Sequence, residues 1–180
     1  MIKDELSSLY RGGEKGWLMN PAEKFALEAC ILEAGDGDYL EIGVNRGGSL
    51  SFAMLLKRRF RQKGKVYGIE AAIGYKEGID KLVVGLGFGG DNYSVVYKKS
   101  DPWPADDELA PVVAFIDGDH TGETPLNDWN NLKDRVKRFI IFHDCDDGSP
   151  AVQSAVENAK TDGAWKFVAM SGCAAVFERK

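Results

Sequence analysis

The stretch YLEIGVNRGGSLSFA, residues 39–53, carries three kinds of local signal in succession. Tyr39 to Gly43 reads as a short buried strand. Gly43, Gly47 and Gly48 then allow the backbone to turn sharply and to approach a ligand, because glycine accepts left-handed conformations without a steric penalty. From Ser49 to Phe60 the apolar residues Leu50, Phe52, Ala53, Met54, Leu55 and Leu56 predict a helix. A strand that turns through glycines into a helix sets the free N–H groups of the helix start beside the strand end, where a ligand can be held.

Working outward, the same alternation recurs. Asn20-Pro21-Ala22-Glu23 predicts a helix start, with a capping side chain, Pro at the first helical position and an acid three residues after the cap. Phe25, Ala29 and Leu32 are expected on one face of that helix, which Gly35 and Gly37 end. KVYGIE (65–70), NYSVVYK (92–98), VVAFI (112–116) and RFIIF (138–142) read as further strands. Helices are expected over 75–87, from Thr124-Pro125 with Leu126, Trp129, Leu132 and Val136 as its stripe, and from Ser149-Pro150. WKFVAM and CAAVFER, parted by Ser171-Gly172, predict a terminal hairpin. Five strands alternating with helices imply a doubly wound parallel sheet covered on both faces, its strand C-termini aligned along one ligand-binding edge.

Composition sets bounds on this reading. The 180 residues, 44% hydrophobic and 28% charged, suit one domain, with 1–38 as an N-terminal segment and helix and 39–180 as the core. A net charge of −5 argues against a nucleic-acid surface. The basic run KRRFRQK (57–63) is expected to be a solvated helix end whose cations complement the helix dipole. Cys30, Cys145 and Cys173 are too few and too scattered for a disulfide framework, and no leader or spanning segment is visible. The expectation is a cytoplasmic protein without membrane attachment.

Function is therefore sought at the strand ends. Glu41, beside the glycine turn, would repel a pyrophosphate and suits a ligand bearing an ammonium group. Glu70, 22 residues beyond Gly48, is spaced to accept hydrogen bonds from ribose hydroxyls. Ser100 and Asp101 follow the third strand, where an adenine edge would lie. GLGFGG (85–90) spells a phosphate-loop pattern but follows a helix and precedes a strand, so it reads as a helix stop. After the fourth and fifth strands come Asp117-Gly118-Asp119-His120 and His143-Asp144. Asp117 and Asp144 on adjacent strands would raise each other's pKa unless a cation lay between them, which suits Mg²⁺. Asp119 reads as a turn residue, and Asp146 and Asp147 as turn and cap residues. His120 and His143, the two histidines of the chain, flank this cleft; His120 is the preferred base, and His143 fits a proton-transfer group or a supporting group equally.

In these motifs the chain resembles the class I S-adenosylmethionine-dependent methyltransferases. FIDGDH followed by FIIFHDCDDGSPAVQSAV is similar to the small-molecule O-methyltransferase branch grouped with macrocin methyltransferases, methyltransferase domain family 24. The resemblance implies a Rossmann-like seven-stranded sheet of order 3-2-1-4-5-7-6 with the last strand antiparallel. It implies contacts from Glu41, Gly43 and Gly47 to the methionine moiety and from Glu70 to the ribose, with Asn45 and Ser49 of the same turn and Asp117 also expected to bind the cofactor. It further implies Mg²⁺ held by Asp117 and Asp144, with His120 deprotonating a small-molecule hydroxyl. The chain departs from metal-dependent relatives in having His143-Asp144-Cys145 where they show adjacent acids or Asp-Asn. The short segment before the first helix leaves the acceptor pocket open or completed by another subunit. Two alternatives stand: a metal-dependent glycosyltransferase using Asp117-Gly118-Asp119, and a non-catalytic binding module on the same fold.

Overall fold

A computed structural model describes residues 19–146 and 148–180. The expectations for the stretch 1–18 and for Asp147 lie outside the described residues.

Helix α1 (Pro21–Ala34) starts with the expected capping box: the Asn20 side chain accepts from the Ala22 and Glu23 N–H groups, and Glu23 Oε2 accepts from the Asn20 N–H at 2.7 Å. The expected apolar face is reversed. Phe25 is 68% exposed, whereas Ala26, Leu27, Cys30 and Ile31 are buried together with Glu23. Both stripes have helical spacing; the one at 26, 27, 30 and 31 places four apolar side chains against the sheet rather than three.

The remaining elements are β1 (Tyr39–Ile42), α2 (Gly48–Arg59), β2 (Val66–Ile69), a single 3₁₀ turn (Ile73–Tyr75), α3 (Lys76–Gly85), β3 (Tyr93–Val96) and β4 (Val113–Ile116). After them come α4 (Thr124–Leu132), β5 (Phe139–Phe142), α5 (Pro150–Lys160), β6 (Trp165–Ser171) and β7 (Ala174–Arg179). The seven strands form one sheet in the order β3-β2-β1-β4-β5-β7-β6. Strands β1 to β5 pair in parallel, and β7 runs antiparallel to both β5 and β6, as the sequence motifs imply.

Burial explains the strand compositions. β1, β4 and β5 are buried at every position, so β4 and β5 are continuous apolar runs and β1 is one broken by Glu41, rather than alternations. One face of the sheet packs Leu27, Ile31, Phe52, Met54, Ile79 and Phe115 among others; the opposite face packs Trp129, Leu132, Phe142, Val156, Trp165 and Phe177. On that second face Trp129 lies 5.6–5.9 Å, centroid to centroid, from Phe142, Trp165 and Phe177.

Two details refine the expectations. First, the β3–β4 crossover, for which no helix was expected, carries none. Residues 97–112 run as a loop, gripped by one stripe of α4 and the turn after it. Asn127 Nδ2 donates to Asp101 Oδ2 at 3.2 Å, Asn131 Nδ2 to the Ser100 carbonyl at 3.1 Å, and Arg135 to Asp107 while stacking over Trp103 at 4.9 Å. Asn127 and Asn131, four positions apart, share one side of the helix, and Arg135 follows from the turn after it. Secondly, the basic helix end is not wholly solvated. Lys57 is buried, its ammonium donating to the carbonyls of Gly37 at 2.6 Å and Lys63 at 2.9 Å, which ties α2 to the loop before β1.

Candidate active site

The sheet order reverses direction between β1 and β4, so the loops after these strands part and open a crevice at their C-terminal ends. A cleft of about 430 Å³ occupies it. Its walls are Gly43 and Asn45 after β1, Glu70 and Ala71 after β2, residues 98–101 after β3, Asp117 to Asp119 after β4, and Thr124 and Asn127 of α4.

Of the residues singled out for a bound cofactor, Gly43, Asn45, Glu70, Ser100, Asp101 and Asp117 line this cleft. Gly43 is glycine for a steric reason: at φ +88° a Cβ would stand 2.0 Å from the Asp117 carbonyl oxygen, so only glycine lets the β1 and β4 loops touch. Asn45 takes the left-handed conformation, φ 48°, and its N–H donates to Glu70 Oε2 at 2.7 Å. Glu70 Oε1 accepts from the Ala72 N–H at 2.8 Å, so the carboxylate is fixed by one backbone donor on each oxygen and keeps lone pairs for a ligand.

Three expected residues lie elsewhere. Gly47 is turned toward α3, where its Cβ position is 3.3 Å from Leu82. Ser49 donates to Glu41 Oε1 at 2.7 Å, and Tyr39 donates to Glu41 Oε2 at 2.8 Å, so Glu41 is enclosed beneath the turn and fully buried. Burial pushes its carboxyl up to about 8, with the Ser49 and Tyr39 hydroxyls opposing the rise. Glu41 does not line the cleft, and with each oxygen bonded to a hydroxyl it is placed to hold the turn. Helix α4 adds a carboxyl that the sequence did not single out. Burial pushes Asp128, behind Gly118, up to about 6, the Ser100 hydroxyl opposing the rise and the charges of Asp101 and Asp119 adding to it.

Beside the cleft the ends of β4 and β5 bring Asp117, His120, His143 and Asp144 together. His143 is 4% exposed, and its Nδ1 lies 3.1 Å from both Asp117 Oδ1 and Asp144 Oδ1. Its Nε2 lies 3.1 Å from Glu23 Oε2 of α1, a residue 120 positions away in sequence. Burial would lower the imidazole pKa; the hydrogen bond and charge of Asp117, the charge of Asp144 and the bond to Glu23 outweigh it and push His143 up to about 9. His143 is therefore an imidazolium at neutral pH and donates from both nitrogens. With a carboxylate on each nitrogen, its arrangement suits the supporting reading, since a base needs a free lone pair.

His120 is partly exposed, with Nε2 3.6 Å from Asp117 Oδ1 and Nδ1 3.5 Å from Asp144 Oδ2. At these separations the contacts are too long for good hydrogen bonds and become ion pairs when the imidazole is protonated. Asp117 chiefly, then Asp144, raise its pKa against the opposing effect of burial. Burial alone would raise Asp117, but His120 and His143 hold its carboxyl below the usual range. Asp119 behaves as the expected turn residue, accepting from Thr121 N–H at 3.0 Å and Thr121 Oγ1 at 2.7 Å. Asp146 likewise accepts from Gly148 N–H at 3.0 Å.

The Mg²⁺ expectation meets a different donor set. Mg²⁺ demands a near-octahedral shell of oxygens. Asp117, Asp144 and His143 bring one ligand atom each within 4.8 Å of one another, but the point on which the two carboxylates converge is the His143 nitrogen. With a nitrogen at that point, the three residues offer a mixed oxygen and nitrogen set rather than the all-oxygen shell that Mg²⁺ prefers.

Glu23 is the residue that sequence reasoning missed as part of this group. It was legible as a capping acid, and it does cap; its second oxygen accepts from the Cys173 thiol at 2.8 Å and the Cys173 N–H at 3.2 Å. A single carboxylate thus joins the first helix, the β6–β7 turn and the end of β5. No sequence signal marks that convergence, since it depends on the packing of α1 across the sheet.

The chain is 30% identical over 149 residues to an uncharacterized protein of Acanthamoeba polyphaga mimivirus. The alignment covers 74% of this chain, which spans 64% of the length of that relative. No protein-family model matches. Among solved structures, the O-methyltransferase NovP superposes with a TM-score of 0.74 at 17% identity, over 89% of this chain and 81% of its own. The O-methyltransferase from Bacillus cereus in complex with S-adenosylhomocysteine gives a TM-score of 0.74 at 14% identity, over 99% and 90%. At such identities the likeness shows a shared fold: the Rossmann-like sheet of these methyltransferases.

Proposed function

We propose that the chain is an S-adenosylmethionine-dependent methyltransferase that methylates a hydroxyl of a small molecule, in the manner of the macrocin-type O-methyltransferases its motifs resemble. The observation that carries this reading is the single cleft lined by the strand-end residues of β1, β2, β3 and β4, with Glu70 fixed by two backbone donors at its wall. A carboxylate so held has lone pairs left for two ribose hydroxyls. The cleft wall carries Glu70, Asp101, Asp117 and Asp119 against Lys98 and Lys99, an acidic excess that favours a sulfonium cation.

When bound, S-adenosylmethionine would supply the methyl group on its sulfonium, and the carbon–sulfur bond breaks as the carbon–oxygen bond forms. The chain's own residues do the rest. Gly43, Asn45 and Glu70 fix the donor, and Ser100 and Asp101 border the base. His120, neutral, takes the acceptor proton, and Asp117 and Asp144 stabilise the imidazolium that results.

The glycosyltransferase alternative needs Asp117 and Asp119 to share a metal, but Asp119 is committed to its turn and Asp117 to two histidines. Calorimetric titration with S-adenosylhomocysteine, UDP-glucose and GDP-mannose tests the choice. We expect binding of the first alone, weakened at least tenfold in Glu70→Ala and unchanged by EDTA. Binding of a nucleotide sugar without S-adenosylhomocysteine defeats the proposal. Methyl transfer from labelled S-adenosylmethionine to a panel of hydroxylated compounds then identifies the acceptor, and activity abolished by EDTA would restore the metal.

A further inference from the structure

The buried carboxylate of Glu23 has no part in the chemistry just described, yet it is tied to it by an unbroken chain of contacts. Glu23 Oε2 meets His143 Nε2 at 3.1 Å; His143 Nδ1 meets Asp117 Oδ1 and Asp144 Oδ1 at 3.1 Å each. The same two carboxylates flank the two nitrogens of His120 at 3.6 and 3.5 Å. Three carboxylates and two imidazoles therefore run from the buried side of α1 to the cleft wall, with Glu23 and His143 buried and His120 and Asp144 the most exposed members.

We propose that Glu23 is a positioning residue of the site: by holding His143 it sets Asp117 and Asp144 in the arrangement that aims His120 at the acceptor. The proposal rests on the methyltransferase reading for its purpose, but not for its geometry.

Three observations support it. First, Glu23 is over-determined: Asn20 N–H, the Cys173 thiol and the Cys173 N–H hold it in addition to His143, so its position is set by α1 and the β6–β7 turn rather than by the imidazole. Secondly, His143 donates to two elements at once, and its ring packs 5.5 Å from Phe115, so its orientation is locked. Thirdly, Asp144 adopts a left-handed conformation, φ 52°, uncommon for a residue with a side chain, and its carboxylate is thereby directed to both histidines. Without the Glu23 carboxylate one face of the imidazolium would lack its acceptor, and its hold on the two aspartates would shift.

The test uses the two imidazoles as reporters, since the chain has two histidines and their signals are separable. Long-range proton–nitrogen NMR spectra are recorded on wild type, Glu23→Gln and Glu23→Asp, together with the affinity for S-adenosylhomocysteine by calorimetry. In the wild type at pH 7 we expect a slowly exchanging His143 Nε2–H in a carboxylate hydrogen bond. In Glu23→Gln that signal should be lost and the His120 resonances displaced as well, with affinity for S-adenosylhomocysteine within twofold of wild type. Glu23→Asp, which keeps the charge but draws it back, should give an intermediate displacement. The proposal is overturned if His143 changes while His120 does not move, because Glu23 would then merely support one ring. It is equally overturned if wild-type His143 shows no hydrogen-bonded Nε2–H, a measurement that stands even if the variants do not fold. Failure of the wild type to bind S-adenosylhomocysteine would instead remove the cofactor reading and leave the coupling between the imidazoles as measured.

Discussion

Replacing Glu41 by Gln should make the protein less sensitive to alkaline pH. Glu41 is enclosed beneath the β1–α2 turn with Tyr39 and Ser49 donating to its two oxygens, and burial raises its pKa from the ordinary 4.5 to about 8. The folded protein thus binds this proton more tightly than the unfolded chain does. The stability it contributes is fully present below pH 4.5, and it is lost as pH rises through 8. At about 1.4 kcal/mol per pH unit, the loss across that window is about 5 kcal/mol, a large share of the stability of a typical domain. Full burial means that solvent screening does not reduce the figure.

Glutamine keeps the shape but cannot accept from both hydroxyls, since one of its two polar atoms is a donor. At pH 5 the variant should therefore be slightly less stable than wild type, by about 1 kcal/mol. By pH 9 the order should be reversed, because the wild type must ionise a buried carboxyl and the variant has none. Urea unfolding at intervals from pH 5 to pH 9 measures both curves, and subtracting them cancels His143, which titrates in both proteins. A difference that stays constant across the range would show that Glu41 is already ionised in the fold and would refute the reasoning.

Other outcomes follow from the same geometry. Gly43→Ala forces a Cβ to within 2.0 Å of a backbone carbonyl at φ +88°, and should cost about 3–5 kcal/mol; a melting temperature within 2 °C of wild type would contradict it. Trp129→Ala removes the ring shared by Phe142, Trp165 and Phe177 and should cost about 3–5 kcal/mol in urea unfolding without altering affinity for S-adenosylhomocysteine. Because its two aspartates raise the pKa of His120, methyl transfer should increase with pH through an apparent pKa above 6.5, read from initial rates against any acceptor found; a plateau already reached at pH 6 would discard His120 as the base.

Most of the architecture was legible because it is written in short-range patterns. Glycines after Ile42, Pro125 and Pro150 at helix starts, and the apolar runs of β1, β4 and β5 each declare an element by local chemistry alone. The stripe of α1 was misread because Phe25, Ala29 and Leu32 have the same periodicity as the buried set, and spacing cannot say which side meets a sheet. The cleft was legible to the extent that it is made of strand ends: Glu70, Asp101 and Asp117 needed only the topology. Glu41 was not, because its role depends on Tyr39 turning a hydroxyl onto it. Glu23 was not, because its partners lie 120 and 150 residues away.

The polar stripe of Asn127, Asn131 and Arg135 gives the molecule a division of labour that a helical crossover would not. A helix between β3 and β4 would earn its place by apolar packing, and its position would be fixed by the core. Here the loop bearing Ser100 and Asp101 hangs from two side chains of α4, the helix entered from Asp117 and His120, and one of the turn after it. One rigid body therefore carries a fastening to the donor side and the approach to the acceptor side. Substitutions at 127 and 131, outside the hydrophobic core, are a route by which ligand preference could be retuned while the sheet that holds the protein together stays as it is.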